Sequence, residues 1–154
     1  MIFKIIAFVL AAFSPAAMPT PQSLPIITLR APRAVLHVQV AATGPQRERG
    51  LMGVRHLPAR SGMLFVFDSD EAVAFWMKDT LIPLDMVFVS ADGEVRSVFT
   101  NVPVVATSLP DNRIPLEQSR ARYVIELPAR EAQRDGIRPG VHIGGIPGAR
   151  TPGS

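Results

Sequence analysis

The segment FWMKDTLIPLDMVFV, residues 75–89, decides the fold, because polar residues interrupt an otherwise apolar run. It contains Trp76, the only tryptophan of the chain, together with Lys78 and Asp85. Charged side chains of this kind are rare in a core strand, and a run such as Met86 to Val89 is rare in a surface loop. The segment therefore predicts a turn that leads into a buried strand and carries a polar group in need of a partner.

Two interpretations of these polar residues are open. In one, Asp85 is buried and holds its strand to the domain through hydrogen bonds or an ion pair, with Arg49 or Lys78 as the cation. In the other, an aromatic wall and converging polar groups form a pocket for a small polar ligand such as a sugar. The candidate ligand-binding residues are then Arg49, Trp76, Lys78, Asp79, Thr80 and Asp85.

The composition restricts the kinds of site that this chain can build. It has 154 residues, 47% of them hydrophobic, and a net charge of +3, which suits one compact domain. There is no cysteine, so disulfides, thiol catalysis and cysteine-ligated metals are excluded. His37, His56 and His142 lack the spacing of a zinc site. Because the arginines are scattered rather than clustered, we expect no nucleic-acid partner, and we also expect no metal and no cofactor.

The two ends of the chain predict export and flexible flanks. Lys4 precedes IIAFVLAAF, residues 5–13, which has the length of a signal-peptide core and is too short to span a bilayer. We expect residues 1–17 to be a cleaved signal peptide, which leaves an exported, periplasmic or secreted protein without a stable membrane anchor. Residues 18–33 are Pro-rich and predict a linker. Residues 144–154 are rich in Gly and Pro and predict a disordered tail.

Residues 34–143, between these flanks, predict a single β-rich domain. Apolar and polar residues alternate in AVLHVQV (34–40) and in RYVIELP (122–128), as in strands. In the second of these, Tyr123, Ile125 and Leu127 point to one side, and Val124 and Glu126 to the other. MVFVSADGEVRSVF (86–99) is typical of a β-hairpin that turns at Asp-Gly.

The remaining patterns predict two more strands and two short helices. GMLFVF (62–67) and VAFWM (73–77) read as separate strands joined by a turn at DSDEA (68–72). TGPQRERGLMG (43–53) carries a capping box and a glycine that ends a helix, and PAREAQRDG (128–136) has a similar start and stop. Together the elements predict a β-rich α+β fold, as a compact, barrel-like antiparallel sheet with two short helices.

The motifs RERGLMGVRHLP, GMLFVF, FWMKDTLIPLDMVFV, GEV and YVIELPA follow one another in an order and spacing that resembles the domain-of-unknown-function 192 family. The resemblance covers Val35 to Ile143 and implies a compact β-rich fold with two short helices, often behind a signal peptide. It implies no enzymatic activity, cofactor or ligand. Two positions depart from the family pattern. Arg130 stands where a glycine often follows ELPA, and Val141 follows Gly140 where Gly-Asp is frequent.

Three functions are compatible with these observations, and they leave the ligand and the oligomeric state undetermined. The first, which we prefer, is a non-catalytic exported binding or accessory module whose groove is lined by the six candidate residues. The second is a hydrolase acting on an envelope glycan or similar polymer, with Asp85 and either Asp79 or Glu126 as the acid/base pair. The third is a protein-interaction module that uses the Pro-rich loop of residues 101–118.

Overall fold

The computed structural model describes residues 17–149, and a single six-stranded sheet dominates them. The predicted signal peptide lies outside the described residues except for Ala17. In chain order the strands are β1 (Ile26–Arg30), β2 (Val35–Ala41), β3 (Ser61–Phe75), β4 (Leu84–Val89), β5 (Val95–Val102) and β6 (Glu117–Pro128). The helices are α1 (Gly44–Arg49), a 3₁₀-helix (Asp111–Arg113) and α2 (Glu131–Arg134). Within the described part of the chain, no helix is long and apolar enough to cross a membrane.

The sheet is open and mixed, with the strand order β1-β2-β3-β6-β4-β5. Neighbouring strands are antiparallel except for β2 and β3, which run parallel because α1 and its following loop carry the chain back between them. The predicted β-rich α+β class with two short helices is confirmed. The term barrel-like applies only loosely, because the edge strands β1 and β5 do not pair with each other.

Both faces of β6, next to the centre of the sheet, are buried. Tyr123, Ile125 and Leu127 belong to one hydrophobic cluster, together with side chains of β1 and β2. Val124 belongs to a second cluster on the opposite face, which includes Phe65 of β3. A polar residue that shares a face with Val124 is therefore placed in a core rather than in water.

Strand β3 differs from the sequence prediction, because DSDEA does not reverse the chain. A single 15-residue strand runs from Ser61 to Phe75. Its pairing with β6 shifts register between Val66 and Glu71, so the polar residues 68–72 lie at an irregularity in the ladder. Strand β6 is 12 residues long and pairs with both halves of β3, so the chain continues in the same direction after this polar stretch.

The predicted linker, residues 18–33, contains a strand. Ile26–Arg30 pairs antiparallel with β2, and Leu29 within it is fully buried. The sequence did not predict this strand, because the surrounding segment is Pro-rich and only one side chain of the strand, that of Leu29, is buried. The domain therefore begins earlier than residue 34.

The predicted disordered tail, residues 144–154, is partly built into the domain. Gly144 N donates a hydrogen bond to Arg30 O at 2.9 Å, and Arg30 N donates to Gly144 O at 2.8 Å. Ile146 lies in the core with 6% of its surface exposed. Residues 150–154 lie outside the described residues.

The first helix begins where the sequence predicts. Thr43 Oγ1 accepts a hydrogen bond from Gln46 N, and Gln46 Oε1 accepts one from Thr43 N at 3.1 Å, which completes the capping box. The helix ends at Gly50, three residues before the predicted stop at Gly53. Gly50 has a φ of 46°, and an added Cβ would lie 3.3 Å from Phe65 Cζ, so the helix ends in direct contact with the core.

Asp85 of β4 is fully buried and binds three backbone N–H groups. Its Oδ1 accepts hydrogen bonds from Asn101 N at 2.7 Å and from Arg130 N at 2.8 Å. Its Oδ2 accepts one from Ala132 N at 2.8 Å. These three donors satisfy a buried carboxylate without any cation.

The predicted ion pair of Asp85 with Arg49 or Lys78 is therefore wrong. Arg49 Nη1 instead donates to Thr20 O, and Lys78 Nζ binds the carboxylate of Asp111. A side-chain partner was expected because the local sequence does not indicate which distant backbone N–H groups will contact Asp85.

The Asp85 carboxylate also caps α2. Arg130, at the N-cap of α2, has a φ of 68°, and no side chain within the helix caps it. Asp85 accepts from the N-cap residue and from Ala132, the second helical residue. A left-handed φ favours glycine, which gives a physical reason for the family pattern from which Arg130 departs.

The Asp85→Ala substitution is expected to lower the free energy of unfolding by about 3–5 kcal/mol, because three backbone N–H groups, one of them buried at Ala132, lose their acceptor. Asp85→Asn is expected to recover part of this loss, since its one carbonyl oxygen can still accept from Asn101 and Arg130. It presents an NH₂ group to Ala132 N, so recovery is incomplete. Urea denaturation of the three proteins at equal protein concentration measures both differences.

A double-mutant cycle with Arg49→Ala tests whether the backbone alone holds Asp85. The effects of Asp85→Ala and Arg49→Ala are expected to add to within about 0.5 kcal/mol, because Arg49 is not a partner of the carboxylate. A larger coupling energy would contradict the network of backbone amides described here.

Candidate functional site

A depression of about 500 Å³ lies between α1 and the segment that follows β3. We call it the outer depression, and its lining residues are Pro45, Glu48, Arg49, Met52, Trp76 and Lys78. A narrow cavity of about 30 Å³, which we call the inner cavity, shares all of these residues except Pro45. The two spaces are therefore adjacent, and together they form one candidate site.

Trp76 forms an aromatic wall of the outer depression. β3 ends at Phe75, so the indole of Trp76 is not turned into either core, and 37% of its surface is exposed. Lys78 Nζ lies 5.2 Å from the centroid of the Trp76 ring. Lys78 is also held at 2.5 Å from Asp111 Oδ2, which connects the aromatic wall to the 3₁₀-helix. An exposed aromatic face beside a fixed cation is suited to contact with a polar ring.

The opposite wall of the depression comes from α1. Arg47 Nη1 donates to the carbonyl oxygens of Ala42 and Val66, and its guanidinium lies over the Phe67 ring, so this side chain is held by the protein itself. Arg49 Nη1 donates to Thr20 O, and the other N–H groups of its guanidinium remain available to a ligand. The wall therefore presents one partly used cation and the carboxylate of Glu48.

The inner cavity is lined by polar and apolar residues in equal number, and two of the polar residues carry carboxyl groups. Leu51, Phe65 and Phe75 contribute apolar surface, and the carboxyl groups belong to Glu48 of α1 and Glu126 of β6. Glu126 is 5% exposed, and its cross-strand neighbours are Met63 of β3 and Met86 of β4. A carboxyl group between two methionines and two phenylalanines has little to hydrogen-bond to.

Burial raises the pKa of Glu126 to about 8, and loss of hydration is the sole cause of the shift. No hydrogen bond and no charge among residues 17–149 counteracts it. Near neutral pH the side chain is therefore a carboxylic acid, which can donate one hydrogen bond and accept others. Perturbed acids of this kind are enriched at functional sites.

Four of the six predicted site residues lie at this site. Arg49, Trp76 and Lys78 line both the outer depression and the inner cavity, and Thr80 lines the inner cavity. The hydroxyl of Thr80 donates to Lys78 O at 3.2 Å and so stabilises the turn after the aromatic wall. Sequence reasoning did not assign Glu48 or Met52 to the groove, because their contact with Trp76 depends on how α1 packs.

Asp79 and Asp85, the other two, are not among the lining residues. Asp79 has a φ of 50°, and its backbone oxygen accepts a hydrogen bond from Gly53 N, so it serves as a turn residue. Asp85 is sealed from solvent by the backbone groups that it binds. The groove is therefore formed by Trp, Lys and Glu rather than by Trp, Lys and Asp.

The predicted acid/base pair of Asp85 with Glu126 is also wrong, because the two carboxyl groups lie on opposite faces of the sheet. In β4, Met86 belongs to the same cluster as Val124, on the face of Glu126. Val87 belongs to the other cluster. Because side chains alternate along a strand, Asp85 lies on the same face as Val87 and opposite to Met86. A sealed Asp85 likewise cannot act with Asp79 on a substrate.

A second group of polar side chains lies at the end of the β4–β5 hairpin. The ligand atoms of Asp92, Glu94 and His142 lie within 4.8 Å of one another, and all three residues are exposed. An isolated bridge between Glu94 and His142 brings them together. Ser90 donates a hydrogen bond to Asp92, and this bond lowers the pKa of the Asp92 carboxyl. The group is part of a well-bonded turn, and we assign it no ligand.

The sequence profile of the domain-of-unknown-function 192 family, described as an uncharacterized ACR, matches residues 26–145. The chain belongs to this family. No curated protein matches it. The match includes β1 and Gly144, in agreement with the domain limits observed in the structure.

Two solved structures share the fold of this DUF192 protein. A protein from Sinorhizobium meliloti 1021, described as a candidate transcription regulator, is 32% identical, with a TM-score of 0.71 over 80% of this chain and 96% of its own. A protein of unknown function from Novosphingobium aromaticivorans DSM 12444 is 26% identical, with a TM-score of 0.70 over 83% of this chain and 93% of its own.

The buried acid makes the stability of the protein depend on pH. The pKa of Glu126 is raised from its ordinary 4.5 to about 8 in the folded protein, so the folded state keeps a proton that the unfolded state releases. This contribution is fully present below about pH 4.5 and is lost as the pH rises to about 8. Between low and neutral pH, the free energy of unfolding of the parent is therefore expected to fall by about 3 kcal/mol relative to that of Glu126→Gln.

Urea denaturation of the parent and of Glu126→Gln across this pH range measures the change. Glu48→Gln is the matched control, because it neutralises an exposed carboxyl group of the same depression and is expected to keep the pH slope of the parent. A slope that is equal in the parent and in Glu126→Gln would show that Glu126 is ionised in the folded protein.

Proposed function

We propose that this DUF192 protein is an exported, non-catalytic binding or accessory module that holds a small polar ligand in the outer depression. The observation that carries the proposal is the exposed ring of Trp76 beside a largely buried, unpartnered acid, Glu126. Small-ligand sites combine an apolar or aromatic wall with a few polar groups that fix orientation. Arg49, Lys78 and Glu48 supply such groups at the mouth.

The size of the site supports a ligand of the size of one or two sugar rings. A volume of about 500 Å³ lies within the range of small-molecule sites. A ring that stacks on Trp76 can place hydroxyl groups against Arg49 and Glu48, whereas the narrow inner cavity cannot admit a ring.

A hydrolase is less well supported than a binding module, because the predicted acid/base pairs relied on Asp85, which is sealed.

A protein-interaction surface on residues 101–118 is supported by two exposed apolar side chains, Val104 at 47% and Leu116 at 49%. The description of the Sinorhizobium meliloti relative raises DNA as another partner. The scattered arginines of this chain do not form the basic stripe that DNA binding requires.

Export is proposed from the start of the chain, where Lys4 precedes the apolar residues 5–13. Mass spectrometry of the mature protein from its native cells is expected to show a new N-terminus near Ala16 or Ala17. Detection of Met1 in the mature protein would contradict cleavage.

Ligand binding is tested through the fluorescence of Trp76, which as the only tryptophan reports on the depression alone. Titration with glucose, N-acetylglucosamine and glucuronic acid is expected to give a saturable change for at least one of them. Trp76→Ala is expected to weaken that binding at least about tenfold by calorimetry, with a melting temperature near that of the parent, because the side chain is partly exposed.

Arg138→Ala provides the matched control for this titration. Arg138 lines a different cavity, beside α2, and is not among the residues of the depression. The variant is expected to bind as the parent does. Equal loss in Trp76→Ala and Arg138→Ala, or no saturable change with any of the three sugars, would contradict the proposed site.

A further inference from the structure

The proposed binding role leaves open what the carboxyl group of Glu126 does. An apolar residue at this position would complete the cluster that Met63, Phe65 and Met86 begin. The chain instead keeps a carboxyl group there, 5% exposed and lining the inner cavity, and no side-chain hydrogen bond or ion pair with it is formed among residues 17–149. A buried polar group without a partner destabilises the folded state, so its presence calls for a role.

The inner cavity has room for one small group. Its volume of about 30 Å³ exceeds that of a single water site and is far below that of a sugar ring. A ligand in the outer depression can therefore insert one projecting group, such as a hydroxyl or the carbonyl of an acetamido group. Glu126 is 5% exposed, so a group that reaches its carboxyl leaves bulk water, and an uncharged group loses less hydration there than an ion does.

We propose that Glu126 binds the ligand as a neutral carboxylic acid, which donates a hydrogen bond to an uncharged hydroxyl or carbonyl oxygen in the inner cavity. The inference rests on the proposed function, since the body of the ligand must lie against Trp76. It defines the ligand class as a neutral, ring-shaped polyhydroxyl compound with one projecting acceptor. It also makes binding sensitive to pH, because a carboxylate has no proton to donate.

The charged groups around Glu126 come from two segments. α1 contributes Arg47, Glu48 and Arg49, and the turn after β3 contributes Lys78. On the sheet, β3 and β4 place only uncharged side chains beside Glu126, namely Met63, Phe65, Phe75 and Met86.

Burial raises the pKa of Glu126 to about 8, so the acid form prevails at neutral pH. Ionisation of Glu126 above that pH is therefore expected to remove the hydrogen bond to the ligand.

The test uses N-acetylglucosamine and glucose as neutral probes, with calorimetry of the full mature chain from about pH 6 to pH 9. For the parent, affinity for the probe that binds is expected to fall about tenfold between pH 7 and pH 9, as the acid form is depleted. Glu126→Gln, which keeps an N–H donor and cannot ionise, is expected to bind with an affinity independent of pH. Glu126→Met, which fills the space without a donor, is expected to lose at least about tenfold at pH 7.

Two controls separate failure of the inference from failure of the proposed function. Glu71→Gln, which neutralises an exposed carboxyl group outside the depression and the inner cavity, is expected to retain the affinity and the pH dependence of the parent, and a melting curve of Glu126→Met confirms that this variant is folded. Binding by the parent that does not change with pH, that rises with pH, or that is equal in Glu126→Gln and Glu126→Met would overturn the inference and leave the binding module standing. No saturable binding of either probe to the parent at any pH would overturn both.

Discussion

The arrangement of the domain depends on one carboxylate, that of Asp85, and on the three backbone N–H groups that it accepts from. Asp85 lies in β4, whereas its donors lie at the end of β5 and at the start of α2. The hydrogen bond from Ala132 N is buried and those from Asn101 N and Arg130 N are partly buried, so one acceptor holds three separate backbone positions. The left-handed backbone of Arg130, close beside a helix of only four residues, is stable because this contact determines its position.

The strand alternation that buries Asp85 on one face of the sheet also determines the position of Glu126 on the other. β4 and β6 are neighbours, and each contributes one carboxyl group, directed to opposite cores. Asp85 is satisfied by backbone donors, whereas nothing in the described chain satisfies Glu126, whose pKa burial raises. A buried carboxyl group therefore stabilises one face of the sheet and destabilises the other. The destabilising group, that of Glu126, lines the inner cavity.

The candidate site depends on two elements that end at the same edge of the core. α1 ends at Gly50, whose positive φ lets the backbone leave the helix close to Phe65, and β3 ends at Phe75, which leaves Trp76 outside both clusters. The exposed indole is thus a consequence of where a strand ends, not of an irregular loop. Two solved structures that are 32% and 26% identical share this fold over most of their length, so the architecture tolerates wide change in sequence.

The sequence by itself determined the local features: the capping box at Thr43, the Asp-Gly hairpin, the alternation in β6 and the unusual polar groups of residues 75–89. These follow from periodicity and side-chain chemistry within a few residues. The contacts between distant parts of the chain are visible only in the tertiary structure. They are the backbone amides that bind Asp85, the pairing of β1 with β2, and the cavity that Glu126 lines together with α1 and Trp76. Such contacts join residues far apart in sequence, and a single sequence carries no local record of which distant backbone will supply a donor or cover a face.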